Sequence, residues 1–292
     1  MFSDVAPDSD NREALIRDLQ HRAQVIRATC VQMAQNGREG HLSSALSCVD
    51  TLVALYGYWL RASLDNIEDE ERDRFILSKG HAVTALYAVL AERGFISPDA
   101  LSTYARTGSQ LPNHPCKYAL PLLETSTGSL GHGLGIATGM LYGFQLDGFT
   151  GRRAVVLMSD GECNEGSVWE SAMFATAHKL DNLLAIVDNN NQQAVGRTDE
   201  ITGFTEFDDK FRAFGWSART IDGNDIGELL DAMDAFPFEK GKPSAIIAKT
   251  IAGKGVSFME GKTAWHYRCP SDEDVENAFK ELGNVTPLVA RH

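Results

Sequence analysis

Residues 154–190 read AVVLMSDGECNEGSVWESAMFATAHKLDNLLAIVDNN, and the fold turns on this stretch. Ala154 to Met158 is a continuous apolar run of strand length that stops at Ser159-Asp160-Gly161. An unbroken apolar run, in place of an alternating one, suits a parallel strand buried on both faces. Ser167 to Leu180 then carries helical spacing, and Leu183 to Val187 is a second apolar strand ending at Asp188-Asn189-Asn190-Asn191. Together these form a βαβ unit. A third run, Ala245 to Ala248, follows a short helix over Ile226–Met233. The expectation is an α/β fold, a three-layer parallel sheet with helices on both faces.

Outward from this core the signals are helical. Asp10 followed three residues later by Glu13 reads as a capping-box start, with the helix running to about Gly37 and residues 1–10 a loose tail. A second helix fits Leu46–Leu60, Asp65–Arg74 reads as a solvated loop or helix end, and a third helix fits His81–Arg93, closed by Gly94 in a left-handed cap. Gly131, Gly135, Gly139 and Gly143 recur every four residues, a small-residue stripe along one helical face. No proline-rich linker divides the chain, so residues 1–292 read as one domain, with about 272–292 an extension.

Bulk properties narrow the function. With 292 residues and 43% hydrophobic content the chain can fill a sizeable core. A formal charge of -13 without any long Lys/Arg run argues against nucleic acid or an anionic membrane as partner. Neither a membrane-length apolar stretch nor a signal peptide is evident, so a cytoplasmic location is expected. Cys30, Cys48, Cys116, Cys163 and Cys269 form no C-x-x-C pair and read as reduced thiols.

Ligands of open parallel sheets bind at the carboxyl ends of the strands, and here two successive strands end in oxygen-bearing loops. Asp160 offers a carboxylate and Asn190 an amide oxygen, hard donors suited to Mg²⁺, which fills its remaining positions with phosphates and water. Taken alone, each loop is explained as well by turn chemistry: Asp-Gly makes a tight turn, and asparagines tolerate unusual backbone angles. Other phosphate motifs fail. EGKT at 260–263 ends like a P-loop but has Val256 where the first glycine belongs, and GHGLGIATG at 131–139 has the wrong glycine spacing for a dinucleotide site.

Taken together, SDGECNEGSVWESAMFATAHKLDNLLAIVDNN resembles the cofactor motif of the thiamine-diphosphate enzymes of the transketolase family, which opens on a (G/S)DG-type turn and closes on an NN-type turn. EGHLSSALS, LSKGHAVTALYA, NHP, STGSLGHGLGIATG and KTIAGKGVSFMEGKTAWH follow the same family in the same order across residues 37–266. The resemblance implies a thiamine-diphosphate-binding fold and reversible transfer of a two-carbon ketol unit from a ketose to an aldose. It implies Asp160, Asn190 and the main-chain carbonyl of Gln192 as Mg²⁺ ligands, with Ca²⁺ or Mn²⁺ able to take that place. It implies His81 and His266 beside the diphosphate and the reacting carbonyl, and His41 and His114 nearer the substrate hydroxyls. Gly128, Leu130 and Gly161 would lie against the cofactor, and Glu165, also counted with the cofactor set, would join Glu170 in an interface or proton-relay role.

The resemblance also implies what is missing. The glutamate that activates thiamine, and the basic residues that grip the sugar phosphate, belong in this family to later domains. A second subunit carrying the pyrimidine-binding and C-terminal domains is therefore expected, assembled as α2β2. The rival readings are the α subunit of a 2-oxo acid dehydrogenase and a non-catalytic regulatory relative. Asn113, Ser43, Ser44 and Tyr267 depart from the family pattern near the substrate channel.

Overall fold

A computed structural model describes residues 9–203 and 206–291. Five parallel strands form its centre: β1 (Arg74–Leu77), β2 (Ala154–Ser159), β3 (Leu183–Asn189), β6 (Ser217–Asp222) and β7 (Ser244–Lys249), in the order β1-β2-β3-β7-β6. A two-residue antiparallel ladder, β4 (Gln192–Gln193) with β5 (Gly196–Arg197), stands apart just after β3. The three central strands are the three apolar runs of the sequence. Burial on both faces follows from their alternation: Val155, Leu157, Leu184, Ile186, Ile246 and Ala248 enter one core. Val156, Met158, Ala185, Val187, Ala245 and Ile247 enter the other.

Helices α1 (Ser9–Gly37), α2 (Leu42–Ser47), α3 (Val49–Ala54), α4 (Val83–Glu92), α9 (Ile226–Asp234) and α10 (Asp272–Glu281) cover the first face. Helices α5 (Gly133–Leu146), α6 (Gly166–Ala177) and α8 (Phe207–Ala213) cover the second, and the short α7 (Thr198–Thr202) follows β5. The expected three-layer parallel α/β sheet is what the chain forms.

Details differ. Residues 1–8 of the expected tail lie outside the described residues, while Ser9 and Asp10 belong to α1. The helix expected over 46–60 is instead α2, a break at Cys48, α3 and a π-type turn over Leu55–Trp59. Gly94 closes α4 in the left-handed conformation as expected, at φ 79°. The segment 272–292 is docked through its described residues: a Ser271 capping box starts α10, Val275, Ala278, Leu282 and Val289 enter the core, and Leu288 N–H donates to Thr29 Oγ1 at 3.0 Å. No described helix is long and apolar enough to cross a membrane.

Exposed large hydrophobics stand on α5, on α6 and just beyond the end of α5. They are Leu146 (69%), Phe149 (42%), Met173 (53%) and Phe174 (40%). Of the glycine stripe, Gly131 and Gly135 approach Ser167 and Ser171 of α6, whereas a side chain at Gly139 or Gly143 would meet nothing.

Candidate active site

The carboxyl ends of β2 and β3 lie side by side, Ser159 opposite Asp188, and this register sets the loops carrying Asp160 and Asn190 next to each other. Asp160 is fully buried; its Oδ1 accepts from Gly161 N–H at 2.8 Å and its Oδ2 from the Thr198 hydroxyl at 2.9 Å. Both partners are neutral, and no described Lys or Arg forms an ion pair with it. Burial pushes its carboxyl up to about 6, against the opposing pull of the Thr198 hydroxyl. Asn190 donates from Nδ2 to Ser47 Oγ at 3.1 Å and Asp188 Oδ2 at 3.2 Å, while its Oδ1 accepts from Gln192 N–H at 2.9 Å. Asp188 thereby fixes which end of the amide is oxygen.

Asp188 is itself the acceptor at the centre of a buried network, taking hydrogen bonds from Lys79 Nζ, Ser47 Oγ and Thr250 Oγ1. Lys79 is fully buried. Burial disfavours its charge, but the adjacent Asp188 outweighs this and holds the ammonium above the usual lysine range. A buried pair satisfied by further hydrogen bonds gives a fixed geometry more than net stability.

Four histidines converge beside these strand ends. His41 has ring-centroid separations of 5.5 Å to His81, 6.0 Å to His114 and 5.3 Å to His266, and His81 lies 5.8 Å from His266. Backbone geometry holds them: His41 starts α2 in the left-handed region (φ 61°), and its N–H donates to the carbonyl of His266 at 2.6 Å. His81 Nε2 is hydrogen-bonded to Ser44 Oγ at 2.8 Å. All four are held neutral. Burial lowers His41, His114 and His266, the last to about 4, with His41 and Lys79 adding to the effect on His266. Burial, then Lys79 and the other histidines, take His81 well below its ordinary value.

Glycines let three loops close on one another. A side chain at Gly128 (φ 140°) would meet the His114 ring at 2.9 Å, and one at Gly80 would meet Gly128. Gly133 lies so close to Ser78 that any Cβ would collide with its side chain. Glu162, fully buried, ties the same loops: its Oε1 accepts from Ser78 Oγ and from Gly131 N–H at 2.8 Å, and its Oε2 from Ser159 N–H at 3.3 Å. Burial raises its carboxyl above the usual range despite these donors.

Among the described residues no three His, Cys, Asp and Glu side chains are close enough to hold a metal. A metal here would need oxygens from Asn190, the backbone and a ligand. The residues fit such a guest. Asp160 is a buried carboxylate with only neutral partners, and Gln193, packed on Gly161, has an amide Nε2 buried without a partner among the described residues. Together they ask for a cation and an acceptor.

The sequence reading therefore places Asp160, Gly161, Asn190 and Gln192 on one loop cluster and His41, His81, His114, His266 and Gly128 on another beside it. Leu130 is half-buried in the loop before α5, and Glu165 and Glu170 stand exposed at the start of α6, outside the histidine cluster. It missed Lys79, Asp188, Thr198, Glu162 and Gln193. Lys79 stands in the quoted LSKGH segment; pairings such as Lys79 to Asp188, across 109 positions, leave no local pattern.

Residues 19–288 match the family profile described as "Transketolase, thiamine diphosphate binding domain". The chain is 40% identical over 266 residues to an apulose-4-phosphate transketolase subunit of Actinobacillus succinogenes, covering 91% of this chain and 96% of that protein. It is likewise 40% identical over 265 residues to a 6-deoxy-6-sulfo-D-fructose transketolase subunit of Clostridium sp., covering 91% and 96%. Among solved structures, transketolase from Campylobacter jejuni superposes with a TM-score of 0.85 at 28% identity, over 94% of this chain and 44% of that one. The chain thus spans under half of the solved transketolase and nearly all of the two subunits.

Proposed function

The chain belongs to the transketolase family, and from that premise we propose that it is the thiamine-diphosphate-binding subunit of a two-chain transketolase, transferring a two-carbon ketol unit from a ketose to an aldose. The observation that carries this reading is the convergence of four histidines beside the buried Asp160 and Asn190. The near-complete coverage of two relatives named as subunits supports a separate partner chain. Nothing among these relatives favours the 2-oxo acid dehydrogenase or the non-catalytic reading.

In this proposal Asp160, Asn190 and the Gln192 carbonyl hold Mg²⁺, which Ca²⁺ or Mn²⁺ can replace, and Gln193 Nε2 and the glycine-lined loops receive the diphosphate. When bound, the cofactor supplies the carbanion chemistry that takes up and returns the two-carbon unit. This chain orients and moves protons. With Nε2 of His81 engaged by Ser44, its Nδ1 is the atom left for substrate. Neutral imidazoles at His81 and His266 can donate N–H to charge developing on the donor oxygen, and His41 and His114 can exchange protons with substrate hydroxyls.

The partner supplies the activating glutamate and the sugar-phosphate site in an α2β2 assembly. The apolar strip of α5 and α6, with Glu165 and Glu170 near its start, is the surface of this chain suited to that contact. A cytoplasmic role in carbohydrate metabolism completes the proposal. The test is reconstitution with the partner chain. Ketol transfer from a ketose to an aldehyde is expected with both chains present and with neither alone; decarboxylation of pyruvate without ketol transfer would overturn the reading.

A further inference from the structure

Tyr267 follows His266 at the end of the short helical turn Thr263–His266, and its placement is fixed by backbone, not by its own hydroxyl. A side chain at Gly40 would come within 2.5 Å of the Tyr267 carbonyl oxygen and 2.9 Å of its Cα, so the two backbones are in contact. The His41 N–H to His266 carbonyl bond, 2.6 Å, closes the same junction one residue earlier. The clamped backbone sets where the Tyr267 side chain starts. The ring stands edge-on to His41 at 5.0 Å and 72° and to His266 at 4.8 Å and 78°.

Two features set this ring apart from the core aromatics. It is 61% exposed, whereas the neighbouring Trp265 is 4% exposed, and its hydroxyl has no partner among the described residues. Packing therefore does not account for a large aromatic here. The histidine cluster also has an inner side: His81 is bonded to Ser44, and Lys79 lies fully buried close behind. The ring stands on the outer side, against His41 and His266. A molecule whose carbonyl reaches His41 and His266 from the side of this exposed ring would lay its carbon chain against it.

We infer that Tyr267 is a specificity-determining residue of the ketol-transfer site, a wall whose bulk shortens the channel and discriminates against long aldehyde acceptors in favour of short ones. This rests on the transketolase reading above. The ring's bulk makes the selection, because a planar aromatic resting edge-on against two imidazoles has fewer ways to give way to an extra carbon than a flexible aliphatic side chain. Discrimination of this steric kind amounts to about tenfold or more per misfit group in a well-packed site.

The experiment uses the complex of this chain with its partner subunit, with 3-hydroxypyruvate as donor and glycolaldehyde or D-ribose 5-phosphate as acceptor. Tyr267→Ala is expected to raise the ratio of kcat/KM for the long acceptor over the short one by about tenfold, and Tyr267→Phe to leave that ratio within roughly twofold. Retained circular dichroism and assembly show that each variant is folded. An active parent whose ratio ignores Tyr267→Ala, or a variant that loses rate equally on both acceptors, overturns the assignment alone. A parent complex that transfers to neither acceptor overturns the functional reading and the assignment together.

Discussion

Protonating His266 means placing charge on a group that burial, His41 and Lys79 together hold neutral down to about 4, against an ordinary value of 6.5. A histidine whose folded value is depressed adds stability that is present above the unfolded value and lost as pH falls towards the folded one. Chain stability should therefore decline between about 6.5 and about 4, where the unfolded chain binds the extra proton. His266→Gln should flatten that slope, read from urea midpoints across the range; an unchanged slope would refute the assignment of this group. Asp160 and Asn190 stood out as oxygen donors at two successive strand ends, and the four histidines only through the family resemblance. Residues were not legible where tertiary closure makes the contact. Glu162 sits two residues beyond Asp160 in a quoted motif, yet its role comes from Ser78 and Gly131, which only the folded loops bring to it.

Helix α5 shows how one element divides its glycines between two tasks. At its first residue, Gly133, an added methyl would collide with Ser78, whose hydroxyl accepts from Gly133 N–H at 3.1 Å. Two turns on, Gly139 meets nothing. Gly133→Ala should destabilise the chain by about 2 kcal/mol through overpacking and weaken cofactor binding with it. Gly139→Ala should stabilise the isolated chain by about 0.5–1 kcal/mol through helix propensity. Thermal unfolding of the two variants checks both signs. The stripe itself was visible in the sequence; which glycines are crowded was not, since that depends on what α6 and the Ser78 loop present. Strands follow the same logic. β2, β3 and β7 were readable because both faces are buried and their central residues are apolar. β1, which begins at Arg74, and β6, with Ser217, Arg219, Thr220 and Asp222, are edge strands, and their polar residues mask the periodicity.

At the scale of the described chain, the sheet with its two helical layers forms one fold, and its strand ends bring Asp160 and Asn190 together. Metal and cofactor should then be linked through Asp160. Chelation of the assembled complex should release thiamine diphosphate into the filtrate, and Asp160→Ala should prevent its retention at any magnesium concentration tested. Cofactor held tightly after exhaustive chelation would remove the metal from the proposal. That an α/β domain of this type is present was legible from three apolar runs and two oxygen-rich loops. The proposal of a second chain rests on resemblance alone, because a chain's own periodicity reports nothing about residues outside it.

The bare apolar strip of α5 and α6 carries a consequence of a different kind. Leu146, Phe149, Met173 and Phe174 are exposed as long as no other protein covers them. Copies synthesised beyond the supply of partner would present this greasy stripe to one another and clump, or be cleared by quality control. In the proposed two-chain enzyme, abundance would then be set by the scarcer of two messages, making matched dosage as much a requirement for the activity as any side chain.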